Sequence, residues 1–410
     1  MNKEDLALIA RLRNLQTIRI QANRILELAR MDKLAHFSLD ESRLEDTAQF
    51  VTAIILKNYP ALTIPYHSRW RHFEADGYNR IQEFHASMAA LPPQEMGKIF
   101  YELVIISVLL DAGAGASWRF YDSRHGKFYQ RSEGLAVASF ELYQQGLFSR
   151  DPGQPLRVDA ERLSEFDLSQ LKTAFQVNAE NPMEGLEGRL QLLNRLGETL
   201  LKTPQFFGTE ARLGNFYPYI QTLINDQSIS AGKIFSTVLD AFNDIWPQRM
   251  KYKGLNLGDV WCHSQLKSSS ESSEFVPFHK LSQWLTYSLI EPLEWTGIKV
   301  TDLNALTGLP EYRNGGLLVD MGVLKPRQHS ILTQAHSPES EIVVEWRALT
   351  VALLDELAHG IQKRLHLTPD VLPLAKVLQG GTWLAGRIIA GELREGGAPP
   401  IRIISDGTVF

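Results

Sequence analysis

The sequence predicts a mainly α, multi-helical protein with few short strands. Three observations predict it: apolar residues recur at helical spacing along much of the chain, strictly alternating runs are scarce, and no internal repeat appears. From Leu6 to Leu28 the residues Leu6, Ile9, Leu12, Leu15, Ile18, Ile25 and Leu28 keep that spacing, with Arg11, Arg13, Arg19 and Arg24 between them. This pattern predicts one long surface helix. Further helices are expected around Asp46 to Leu56, Gly77 to Met88, Pro93 to Leu110 and Gly134 to Gln145. The segment Ser149-Arg150-Asp151-Pro152-Gly153-Gln154-Pro155 cannot continue a helix and forms a hinge or a long loop. Leu186 to Leu201 and Ala231 to Ile245 again read as helices, the latter ended by Trp246-Pro247. Lys267 to Glu274, rich in Ser and Glu, is the most loop-like stretch of the chain. Two late helices, Ile342 to Leu365 and Leu374 to Glu392, precede Pro399-Pro400 and a β-prone tail, Ile401 to Ile404. A chain of 410 residues accommodates either one large domain or two, expected as residues 1–150 and 151–410 with the active site between them.

Composition narrows the function. Hydrophobic residues at 44% and charged residues at 22% place the chain among ordinary globular proteins. A net charge of -5 and a pI near 6.2 provide no basic field for long nucleic acids. The single cysteine, Cys262, excludes an internal disulfide, and no Cys/His cluster spells a zinc site. No apolar run reaches membrane-spanning length and no secretory leader opens the chain, so a cytoplasmic protein without membrane partners is expected.

Five stretches combine aromatic residues, carboxylates and glycines. Tyr66 to Arg80 holds His67, Arg69, Trp70, Arg71, His72, Glu74 and Asp76; it is either a recognition loop for a phosphate or polar edge, or a loop capping a helix through Asp76. Leu109 to Asp122 sets Asp111 and small residues before Trp118, which suits a flat ligand close to the backbone or a plain helix terminus. It lacks the spacing of a dinucleotide fingerprint. Gly258 to His263 is followed by His279, Lys280, Gln283 and Trp284; on a helix, Lys280, Gln283, Tyr287 and Glu291 share a polar stripe able to line a cleft. Cys262 reads as a quiet buried thiol. In Leu306 to Leu324, Glu311-Tyr312-Arg313 precedes Gly315 and Gly316, a turn into a helix that would pre-orient the Glu311 carboxylate. In Val343 to Leu357, Glu345 and Arg347 interrupt an apolar helix and must be paired or functional.

In order, LGDVWCH, VPFHKLSQWLTYSLIEPLE, GLPEYRNGGLLVDMGVL, VVEWRALTVALLDEL and the tail IISDGTVF resemble the uracil-catabolism protein four family over nearly the whole chain. The resemblance implies a late step of a uracil-degradation route in which a ring-opening enzyme generates ribosylurea and urea is then released. More distantly, LLDAGAGASW, KLSQWLTYSL, LTGLPEYRNGG and VVEWRALTV resemble motifs of the queuosine salvage glycosidase family, which removes a base from a ribonucleoside. That likeness implies a DNA-glycosylase-like helical architecture and puts Asp111, Lys280, Glu311, Arg313 and Glu345 at matching positions. Two departures stand out: Glu311 occupies the place of a catalytic-type aspartate, and Ser288 the place of an acidic residue.

These likenesses imply hydrolysis of the ribosyl C–N bond of ribosylurea, or of its 5-phosphate, to urea and the sugar. Positive charge grows on the sugar as the bond breaks, so a carboxylate near the anomeric carbon is needed. Glu311 and Lys280 are the expected catalytic pair. Asp111, Trp118, His279, Gln283, Trp284, Arg313, Glu345 and Arg347 are the expected substrate-binding residues, with Arg69 and Arg71 available for a phosphate. No metal or other cofactor is expected, and the partners are a small ribosyl substrate and, functionally, the ring-opening enzyme. The alternatives are a different nucleoside or amide hydrolase of the same pathway, or a non-catalytic partner of that enzyme.

Overall fold

A computed structural model describes residues 2–115, 117–246, 250–268 and 273–404. It is mainly α, and its strands are two to four residues long and joined in pairs. The chain divides into two compact units, each assembled from separated segments. The first comprises Met1–His67, Met250–Gln283 and Asp302–Ile404, and the second Ser68–Arg249 with Trp284–Thr301. The Pro/Gly segment 149–155 lies inside the second unit as a self-bonded loop: the Gly153 N–H donates to Asp151 Oδ1 at 2.8 Å and the Arg150 N–H to Asp159 Oδ2 at 3.0 Å.

The first unit is organised around the helix Glu341–Leu365, against which Leu15–Arg30 and Ser42–Asn58 pack. Val343 through Leu354 are all buried, so this helix has no solvated face over three turns. The expected long N-terminal helix is two helices, Lys3–Leu12 and Leu15–Arg30. Asn14 breaks it: its side chain accepts the Gln16 N–H at 2.8 Å and so starts a second helix while the apolar spacing runs on undisturbed. The expected helix Leu374 to Glu392 is likewise divided into Leu374–Val377, a π turn at Leu378–Thr382 and Trp383–Leu393. A Cβ on Gly381 would fall 2.5 Å from Val51, and one on Gly380 3.1 Å from Ile64, so the glycines of the turn admit neighbouring side chains. The β-prone tail pairs Arg402–Ile403 in parallel with Ala335–His336; the rest of the motif, residues 405–410, lies outside the described residues, as do residues 269–272 of the Ser/Glu stretch and Pro247.

The second unit is built on Pro93–Leu109, opened by a proline where no amide donor is needed and buried without interruption from Ile99 to Leu109. Glu102 is fully enclosed in it. Its two oxygens face Arg212 at 2.9 and 3.0 Å, and Oε1 also accepts the N–H groups of Val158 and Gly214. One carboxylate thereby joins this helix to two later segments. Asp76 does not cap the following helix, Arg80–Ser87; it sits at φ 60° and pairs with Lys127 at 3.0 Å.

Removing one partner of a buried pair leaves the other charge uncompensated. Glu102→Gln should lower unfolding free energy by about 3 kcal/mol in urea melts; a loss below about 1 kcal/mol would show that Arg212 finds other compensation.

Candidate active site

The expected residues fall into two groups, one in each unit. In the first unit, Glu311 caps the helix Tyr312–Asp320 from an extended backbone (φ −103°, ψ 166°). Oε2 accepts the Arg313 N–H at 2.8 Å and Oε1 the Asn314 N–H at 2.5 Å. Glutamate is a rare cap because its extra methylene must fold back to reach these amides. The loop before it is fixed by Gln283, whose Nε2 donates to Thr307 Oγ1 at 2.8 Å and to the Phe278 carbonyl at 3.1 Å, while its Oε1 accepts the Thr307 N–H at 2.9 Å. The Gln283 amide is thus committed to positioning the Glu311 loop. Burial pushes the Glu311 carboxyl above the ordinary glutamate range; the amides of Arg313 and Asn314, the Arg313 guanidinium and the Lys280 ammonium pull against it.

Arg313 is buried, its guanidinium carbon 3.9 Å from the ring centre of Trp383. A Cβ on Gly386 would fall 2.2 Å from the Arg313 carbonyl oxygen, so glycine is what allows these two helices to meet so closely.

Lys280 opens the helix Lys280–Trp295 and donates its N–H to Asp259 Oδ2 at 2.9 Å. Asp259 is the centre of this region. Its oxygens accept from Arg347 in a fork, each bond 2.8 Å, and Oδ1 also accepts from Trp261 Nε1 at 2.6 Å. Although burial opposes it, the Arg347 guanidinium together with these donors holds the Asp259 carboxyl well below the usual range. His279 precedes the helix at φ 47° and lies 2.9 Å through Nε2 from the Leu12 carbonyl. That acceptor requires the proton on Nε2, and burial, aided by Arg13 and Arg347, lowers the ring's pKa despite Asp259. His279 is therefore a neutral ring tied to the chain.

Glu345 and Arg347 do not pair with each other, because side chains two positions apart on a helix diverge. Glu345, fully buried, accepts the N–H groups of His36 and Phe37 at 3.2 and 2.8 Å on one oxygen and faces His263 Nε2 at 3.2 Å with the other. Both residues hold elements together. Cys262 is half-buried, and burial with the nearby Glu274 pushes its thiol up, away from nucleophilic use.

In the second unit, Asp111 follows the helix Pro93–Leu109. Its Oδ2 lies 2.8 Å from Arg69 Nη1 and its Oδ1 accepts from Ser132 Oγ at 2.7 Å. Arg69 is fully buried and also donates to Ser107 Oγ and the Ser132 carbonyl; its Nη2 has no partner among the described residues. Burial lowers the Arg69 pKa, with Asp111 opposing. The small-residue segment after Asp111 is clamped by Arg189, which donates to the carbonyls of Leu110, Ala112 and Gly113. Burial pulls that guanidinium down to about 10. Trp118 is a core residue with Nε1 on the Phe175 carbonyl at 2.9 Å, and Trp284 lies 5.7 Å from the His72 ring. Arg71 faces Glu291 at 2.9 Å, and Glu291 also accepts from Ser68 Oγ. Both arginines expected at a phosphate are thus matched by carboxylates. Burial raises the Glu291 pKa, with Arg71 and Ser68 opposing.

Residues not singled out from the sequence include Asp259, Trp383 and Ser132, whereas Glu291 stood in the expected polar stripe. Asp259 had one signal, its place in the GDVWCH motif; its partner lies 88 residues further on. Among the described residues, no three His, Cys, Asp or Glu side chains form a group able to hold a metal ion. No helix among them is long and apolar enough to cross a membrane.

A mainly α, multi-helical protein with buried carboxylates poised against arginine and lysine is the class these observations define. The chain belongs to the family described as Protein of unknown function (DUF1688), whose model matches residues 11–410. It is 39% identical to Protein urg3 of Schizosaccharomyces pombe over 413 residues, covering 98% of this chain and 99% of that one. It is 37% identical to Uracil catabolism protein 4 of Lachancea kluyveri over 407 residues, 92% of each.

The Asp259 pair makes a prediction with a sign. A carboxyl depressed in the folded state adds stability that is present above its unfolded value, near 3.8, and disappears as pH falls through the folded value. Asp259→Asn should therefore cost about 3 kcal/mol at neutral pH and flatten the acid limb of stability below about pH 4. Denaturant titrations across acid pH check this; an unchanged limb would show that Asp259 is not linked to folding.

Proposed function

We propose that the protein acts in uracil catabolism as an N-glycosidic hydrolase, cleaving the ribosyl C–N bond of ribosylurea or its 5-phosphate to urea and the sugar. Identity of 37% over 92% of each chain with a protein named for uracil catabolism supports the pathway. The observation that carries the chemistry is Glu311: a carboxyl held by two backbone amides, raised by burial and influenced by the Lys280 ammonium.

The reaction asks for two things at once. As the C–N bond lengthens, the anomeric carbon becomes positive, and an ionised Glu311 stabilises it or takes the proton of the attacking water. The water oxygen bonds to the anomeric carbon, the electron pair of the broken bond goes to the urea nitrogen, and a proton reaches that nitrogen. Lys280 is the candidate donor of that proton. A carboxyl raised above the ordinary range is a stronger base than a solvated one, which suits removal of a water proton.

The test is urea release from ribosylurea and from its 5-phosphate, with Glu311→Gln in parallel. Wild type should release urea from one of them, and the folded variant should lose about 100-fold or more in rate. The acid limb of kcat/KM should lie above 4.5, the ordinary glutamate value, because the base must be ionised and its pKa is raised. No release from either compound overturns the glycosidase reading; release undiminished in Glu311→Gln would leave Glu311 as a helix cap alone.

A further inference from the structure

A cavity of about 580 Å³ lies wholly within the second unit, far along the chain from the Glu311 loop. Its floor is the C-terminal half of the helix Arg131–Gln144, through Glu141 and Leu142. Phe120 to Ser123, from the hairpin strand Arg119–Asp122 and its turn, form one wall; the helix Leu168–Ala174 forms another, and Leu147 with Arg162 closes the rim.

Two features make this more than a dent in the surface. Glu141 Oε1 is buried and has no hydrogen-bond partner among the described residues. A buried acceptor left unsatisfied is costly, and a rotation of the carboxylate that brings this oxygen to a ligand donor in the cavity would remove that cost. The neighbouring carboxylate, Asp122, gives no relief, being taken up by Arg80 at 2.7 Å and His125 at 2.8 Å. The second feature is Arg162. Its Nε donates to the Leu147 carbonyl at 2.9 Å and its guanidinium carbon lies 4.6 Å from the ring centre of Phe166, so the cation is fixed in place. Glu141 belongs to the helix Arg131–Gln144 and Arg162 to the helix Ala160–Ser164, so the acid and the base line the cavity from separate elements, with Phe120, Leu142 and Leu147 supplying apolar lining.

We propose that this cavity binds a small aliphatic amino acid, its ammonium on Glu141 and its carboxylate on Arg162, with the methylenes along Phe120, Leu142 and Leu147. A phosphate or nucleotide is disfavoured, because the acidic part of the cavity repels a dianion that one guanidinium has to hold. A diamine is disfavoured by the same arginine. None of these residues belongs to the Glu311 or Asp111 groups, so the inference stands apart from the glycosidase reading.

Calorimetry on the full chain with γ-aminobutyrate, butylamine and butyrate tests it. γ-Aminobutyrate should bind about tenfold more tightly than either single-charge analogue, since it alone makes both charge-assisted contacts. Glu141→Gln should remove its advantage over butyrate, and Arg162→Met its advantage over butylamine, while urea release stays unchanged in both. Burial and Asp122 raise the Glu141 pKa, so affinity should also grow as pH rises through that range. Absence of binding by γ-aminobutyrate at millimolar concentration, or equal binding of all three compounds, overturns the proposal.

Discussion

Much of the first unit depends on one constraint: a helix buried on every side has no place to solvate a charge. Glu341–Leu365 is such a helix, and Arg347 sits within its enclosed run. The guanidinium must be answered inside the protein, and Asp259 answers it with both oxygens. The same carboxylate accepts from the Lys280 amide and the Trp261 indole, so the pairing fixes the start of the helix Lys280–Trp295 and the strand Val260–Cys262 together. Glu345 imposes the same demand two residues away and draws in the His36 and Phe37 amides at the start of the strand Phe37–Leu39. Each buried charge thereby converts a desolvation cost into a geometric requirement on segments distant in sequence.

How much of this was legible in the sequence follows from the range of the interactions. Helices whose periodicity is local, such as Pro93–Leu109 and Leu186–Lys202, were readable within a residue or two. The break at Asn14 was not, because a capping asparagine interrupts the backbone without disturbing the apolar spacing on either side. The π turn at Leu378–Thr382 escaped for a related reason, since its two glycines read as tolerated positions within a helix. The two compact units are assembled from segments that return after long excursions, whereas proline and glycine clusters report turns, and the turn at 149–155 is internal to one unit.

For the site, the sequence identified residue types under constraint more readily than it identified the task of each. Glu345 and Arg347 were conspicuous because charges in an apolar run demand a reason, and Gln283 and His279 because they stand in a polar, aromatic stretch that opens a helix. In the fold the reason for all four is a bond to the chain itself. These bonds fix chain segments: Gln283 through Thr307 holds the loop before Glu311, and Asp259 holds the turn before Lys280. Motif strength alone does not distinguish a residue that touches substrate from one that aims it.

Glu311 differs from these four. A structural cap has no need of the extra methylene, since shorter side chains reach the same amides from the same position with less side-chain order to lose. A glutamate held there by two amides yet raised in pKa by burial is in tension, the amides favouring its charge and the surroundings disfavouring it. The Arg313 guanidinium and the Lys280 ammonium relieve part of that tension in the resting protein, and on the proposed reaction the positive centre of an opening glycosidic bond would relieve more. On the proposed reaction, the departure from the aspartate of the salvage family that the motif resembles is a change in reach: the longer side chain retains the helix cap while its carboxylate stands one methylene further from the backbone.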